Sequence, residues 1–195
     1  MSEVEADPDV EVDVDTYTVE TIMRRIAEDV ALVVDRPFVI ESLKASREEK
    51  RPSGKGKVHI SFKLEVQQES GVAHGCLLVP LPDAISLACY LMMVPDDAVK
   101  QNRTSIDLDR AMKDAMVEVD NFVGGATDGA LRGIAPGASA RGAGCQGVKA
   151  DVRPAFPYEE GQPLLVGRAK AKLHTYDTFD MILVIPVIEN VEVEG

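Results

Sequence analysis

The sequence is poor in the residues from which most recognisable sites are assembled. Its three cysteines, Cys76, Cys89 and Cys145, are odd in number and stand alone in spacing. That excludes a disulfide framework and a Cys-x-x-Cys metal site, leaving reduced packing thiols. The three histidines are widely separated, with no His-x3-His pair, which argues against zinc. No serine sits in a Gly-x-Ser-x-Gly turn. No apolar run reaches the length of a membrane helix, and the acidic N-terminus is unlike a signal peptide, so a cytoplasmic chain without membrane insertion is expected. Positive charge is also scarce, with 21 Lys and Arg against 33 Asp and Glu and a net charge of −12. This argues against nucleic acid or anionic membrane as the main partner and favours a basic patch on a protein, or merely solubility.

What is present is an ordinary globular composition, 45% hydrophobic and 28% charged over 195 residues. One domain is expected, with enough chain for a sizeable core. Residues 2–15 alternate acids with Val, Ala and Pro, and no basic residue precedes Arg24. Like-charge repulsion points to an acidic mobile tail over 1–15 and a single domain over 16–195.

Helical periodicity follows over 18–34, with Val19, Ile22, Met23, Ile26, Val30 and Val33 on one face and Arg36-Pro37 as the stop. Residues 38–45 read as a strand and 47–57 as a charged connection. In 58–66, Val58, Ile60, Phe62, Leu64 and Val66 alternate with His59, Ser61, Lys63 and Glu65, which places His59 in solvent. Residues 72–81 return as its hairpin partner. A helix over 82–94 opens at Pro82 and closes at Pro95. A polar loop over 96–105 and a Gly-rich exposed loop over 133–147 flank a long helix. A short strand at 148–152 stops before Pro154, and 164–174 with 179–187 form a closing hairpin.

The long helix, 107–132, is the centre of the pattern. Ser105 or Asp107 is positioned to cap it. Leu108, Met112, Ala115, Val119, Phe122, Ala126 and Ala130 recur at helical spacing as its buried face. Beside them runs a polar stripe of Asp114, Glu118, Asn121 and Gly125. Glu118 and Asn121, three apart, are neighbours on the helix surface. An acid and an amide held together there can engage a cation and position a water, although a plain solvated face has the same composition. Gly142 to Gly147 also match Gly-x-Gly-x-x-Gly, but a helix and loop precede them where the dinucleotide motif needs a strand.

Asp114-x3-Glu118-x2-Asn121, with Gly125 four residues on, resembles the signature of the CheC/CheX family of chemotaxis phosphatases. The strand, turn, strand and helix leading into it are similar too, as are VKADVRP, ending at the motif proline Pro154, and FDMILVIPV as a final strand. One departure is the long stretch between Asn121 and Pro154, read as a Gly-rich insertion. The resemblance implies an α/β (α+β) fold with long helices packed on a mostly antiparallel sheet. With one Glu/Asn pair, the chain is more similar to the CheX-like branch, whose members form homodimers.

The resemblance also implies an activity: hydrolysis of the phospho-aspartate of a CheY-type response regulator. Asn121 would orient the attacking water and Glu118 would pair with the regulator's lysine. Asp114, Gly125 and Pro154 would belong to the partner-binding surface. No metal or cofactor of its own is implied, since Mg2+ would come with the partner regulator. Two other readings are a non-catalytic adaptor that binds a response regulator and a structural component akin to the flagellar switch.

Overall fold

A computed structural model describes residues 13–193. The first helix, α1 (Val14–Val34), starts earlier than its apolar periodicity suggests, because Asp13 caps it by accepting the Asp15 amide at 3.2 Å. The end of the acidic stretch is thus helical, and Asp15 pairs with Arg47; residues 1–12, most of the expected tail, lie outside the described residues. Val19, Ile22, Met23, Ile26 and Val30 are buried as expected, each contributing roughly 1.5–3 kcal/mol. Val33 is instead exposed and Val34 is buried, since Val34 lies four residues after Val30 on the core face. Asp35, at φ 51°, terminates the helix in the left-handed region two residues before Pro37.

The strands are β1 (Phe38–Glu48), β2 (His59–Gln68), β3 (Gly71–Pro80), β4 (Ser139–Val148), β5 (Leu164–Leu173) and β6 (Phe179–Pro186). They form one sheet in the order β1-β5-β6-β3-β2-β4, with every neighbouring pair antiparallel. Helices α2 (Leu81–Leu91), the short α3 (Asp96–Asn102) and α4 (Arg110–Ile134) complete the described elements. The expected α+β fold with long helices on an antiparallel sheet is observed. Helix α1 packs over β1 and β5, α4 over β4 and β2, and the two helices pack against each other. The sheet residues beneath them, among them Leu64, Leu77, Leu165 and Leu183, join the helices in the main core.

The alternate strand residues form a second apolar cluster, on the face that carries no helix. Cys76, Leu78, Val166 and Val184 belong to it, covered by Phe156 and Tyr158 from the segment after β4. This cover overturns the expectation that His59 faces solvent. His59 is 3% exposed and Ser61 is fully buried, because the connection before β2 and the segment after β4 fold onto that side. Strand alternation reports which residues share a face, and says nothing of what distant chain later covers it.

Two loops are also ordered structure. Residues 96–102 form α3, with Asp96 and Asp97 in its first turn and Lys100 in its last. The Gly-rich segment expected as an exposed loop, and read as an insertion, is largely β4, the edge strand paired to β2. Its register shifts between Phe62 and Leu64 of β2, and Gly144 takes φ 90° there, a bulge that glycine tolerates. The strand expected at 148–152 is absent, as β4 ends at Val148.

Candidate functional site

Helix α4 carries the stripe. Its cap is Asp109, whose Oδ1 accepts the Met112 amide at 2.8 Å, and neither Ser105 nor Asp107 caps it. The Ser105 hydroxyl donates to the Asp107 carbonyl instead. Met112, Ala115, Val119, Ala126 and Ala130 are buried as expected, joined by Met116, Val123, Leu131 and Ile134. Phe122 departs from the expectation at 37% exposed. It lies at the border of the two faces, four residues after exposed Glu118 and four before buried Ala126.

The structure brings Glu118 and Asn121 together. Asn121 Nδ2 donates to Glu118 Oε2 at 3.3 Å, and both side chains are exposed. Glu118 Oε1 and Asn121 Oδ1 have no further partner among the described residues. One turn earlier, Asp114 faces Arg110 Nε at 3.7 Å. One turn later is Gly125, where an added Cβ would meet nothing. Such a glycine costs the helix roughly 1 kcal/mol relative to alanine without any packing need. It leaves backbone that another molecule can approach closely. Val117 and Phe122, both exposed, flank the pair, each about 70° from its midline at 100° per residue.

The buried side of the same turns grips the edge strand. Asp120 Oδ2 accepts the Gly144 amide at 2.7 Å, at the bulge, and Asp128 Oδ1 accepts the Ala140 amide at 3.0 Å. Between them Gly124 touches β4 backbone, where a Cβ would fall 2.0 Å from the Gly142 nitrogen. Asp120, Gly124 and Asp128 are thus one contact per turn, and they hold α4 where Glu118 and Asn121 point outward. Asp120 is fully buried, and its Oδ1 has no partner among the described residues. Burial raises its pKa to about 6, against the lowering effect of the backbone amides. Neither Asp120 nor Gly124 stands out in the sequence, because the glycines they meet lie beyond the helix. Spacing at i, i+4, i+8 was their only signal.

Pro154 is placed elsewhere. It is buried in the segment that covers the helix-free face, and its carbonyl accepts from Arg51 Nη1 at 2.9 Å. The structure does not join it to the Glu118/Asn121 stripe. Among the described residues, no three His, Cys, Asp or Glu side chains cluster as a metal site.

No protein-family model and no curated protein matches the chain. Solved structures do. FliY from Thermotoga maritima is similar with a TM-score of 0.61 at 12% identity, covering 92% of this chain and 93% of that one. The chemotaxis protein CheX from Desulfovibrio desulfuricans is similar with a TM-score of 0.55 at 14% identity, over 87% of this chain and 99% of that one. The chain has the CheC/CheX fold. The middle domain of FliM from H. pylori shares it, with a TM-score of 0.60 at 8% identity over 90% and 93% of the two chains. At these identities the likeness is one of fold.

Proposed function

We propose that the chain hydrolyses the phospho-aspartate of a CheY-type response regulator, using Asn121 and Glu118. The observation that carries this reading is the hydrogen-bonded Glu118–Asn121 pair, exposed on a helix held rigidly from behind. An acyl phosphate is a reactive anhydride, so its hydrolysis needs no nucleophile from the second protein. What it needs is a water in line with phosphorus, displacing the aspartate carboxylate and yielding inorganic phosphate. With Nδ2 tied to Glu118, Asn121 has Oδ1 left to accept a hydrogen from that water and orient its lone pair. Glu118 keeps Oε1 for an ammonium, and the proposal assigns that ammonium to the regulator's lysine. Magnesium belongs to the regulator in this reading. Val117 and Phe122 supply apolar contact on either side, and Gly125 permits close approach. Asp114 reinforces the negative field around Glu118.

A second reading is a structural component of a flagellar-switch type. It is favoured by the likeness to a FliM middle domain and to FliM solved in complex with FliG. Binding to candidate CheY-type regulators separates the two, measured with and without phosphorylation. The phosphatase reading expects binding that prefers the phosphorylated form and is lost in Glu118→Lys. Binding indifferent to phosphorylation and to Glu118→Lys, together with assembly into large complexes, would support the switch reading.

A further inference from the structure

The face of the sheet without helices is covered unevenly. Phe156 and Tyr158 lie over Val166 and Val184, but the far end of that face carries His59, Pro80, Arg168 and Asp180. The connection before β2 folds across this end, and Gly54 lies so close to the His59 ring that a Cβ there would be 2.3 Å from it. Between connection and sheet is a pocket of about 530 Å³. That volume is within the range of small-molecule sites. It lies on the opposite face of the sheet from Glu118 and Asn121.

The pocket has the opposite charge balance to the protein. Lys55, Lys57 and Arg168 line it against a single acid, Asp180. Asp180 is engaged by Lys170 Nζ at 2.7 Å, and Arg168 by Glu48. Lys55 and Lys57 have no ion-pair partner among the described residues. In a chain of net charge −12, three cations against one acid around a single pocket reverse the overall balance locally. His59 adds a defined polar atom to this setting. Its Nδ1 lies 2.8 Å from the Lys57 carbonyl, which only accepts, so Nδ1 carries the hydrogen. Nε2, with no partner among the described residues, is left as an acceptor. Burial favours this neutral ring by lowering the histidine pKa. Pro52, Pro80 and Ile182 supply apolar wall.

We propose that this pocket binds a small organic anion, with its charged head held by Lys55 and Lys57 and a hydroxyl or N–H of its body donating to His59 Nε2. The site takes up a ligand chemistry that the acidic remainder of the surface repels, and it is independent of the phosphatase reading. Calorimetric titration of the full chain tests it. Glucose 6-phosphate and phenyl phosphate serve as probes, glucose and phenol as their uncharged counterparts, and inorganic phosphate as the head alone. The expected result is saturable one-to-one binding of at least one phosphorylated probe and none of its uncharged counterpart. Binding should weaken at least about tenfold in the Lys55→Ala/Lys57→Ala variant, while its thermal unfolding matches the wild type. Equal binding of the uncharged counterpart, undiminished binding in the variant, or no binding by any of the three anions at millimolar concentration would overturn the assignment. So would inorganic phosphate binding as tightly as the esters, since the body would then contribute nothing.

Discussion

The Asp120 carboxylate accepts the amide hydrogen of Gly144 at 2.7 Å, joining the helix that carries Glu118 and Asn121 to the bulge of the edge strand. The residue beside Asn121 therefore sets the position of Asn121 without facing the same way. A fully buried carboxylate is a costly anchor, and the cost is visible in its pKa, raised from 3.8 to about 6.

That raised pKa has a signed consequence for stability. The folded protein holds the Asp120 proton more tightly than the unfolded chain does. Its contribution therefore falls as pH rises from about 4 to about 6 and stays flat above. Asp120→Asn keeps an oxygen for the Gly144 amide and removes the titration. In denaturant unfolding from about pH 4 to about pH 6, the stability of the variant relative to wild type should increase as pH rises, because the falling contribution of Asp120 is gone. Identical profiles would show that Asp120 does not titrate there.

The adjacent glycines of α4 should respond in opposite directions. Gly124→Ala forces a methyl into β4 backbone, where Gly142 cannot yield cheaply, and should destabilise the fold by roughly 1–3 kcal/mol or more. Gly125→Ala meets open space and should stabilise it by up to about 1 kcal/mol. In the phosphatase reading, the second change weakens regulator binding while raising the denaturation midpoint. Chemical denaturation and a binding titration on the same samples check both halves.

Arg103 holds a different part of the fold. Its Nη2 donates to the buried Asp83 Oδ1 at 2.9 Å, and its guanidinium lies 3.9 Å from the Tyr176 ring centroid. Burial raises the Asp83 pKa and Arg103 opposes that rise. Arg103→Ala leaves the carboxylate without its cation and should cost about 3–5 kcal/mol. Arg103→Lys, which keeps the charge but loses the planar fork, should recover only part of that loss. Urea unfolding of the two variants measures the difference.

The division between what the residues disclosed and what they concealed follows the range of the interactions. The Glu118/Asn121 stripe, the apolar face of α1 and the hairpins β2–β3 and β5–β6 are written in local periodicity, and each is present in the structure. The edge strand β4 was hidden, because glycine is a poor strand former and its selection here depends on Asp120 and Gly124, far away in sequence. His59 is buried by the connection just before its strand, where Gly54 folds back over the ring, and strand alternation carries no sign of that fold-back. Phe122 stands at the border of the apolar face, where periodicity alone does not decide between core and solvent, and the structure leaves it exposed.

The decay of a phosphorylated CheY-type regulator in matched magnesium, with wild-type protein and with Asn121→Ala, tests the central claim most directly. Asn121→Ala removes the water-orienting amide but leaves the Glu118 carboxylate and the rest of the helix face. The phosphatase account predicts accelerated decay with wild type, a loss on the order of 100-fold in Asn121→Ala, and regulator binding retained. Acceleration that survives Asn121→Ala unchanged, or cognate regulators that bind without any faster decay, would contradict it.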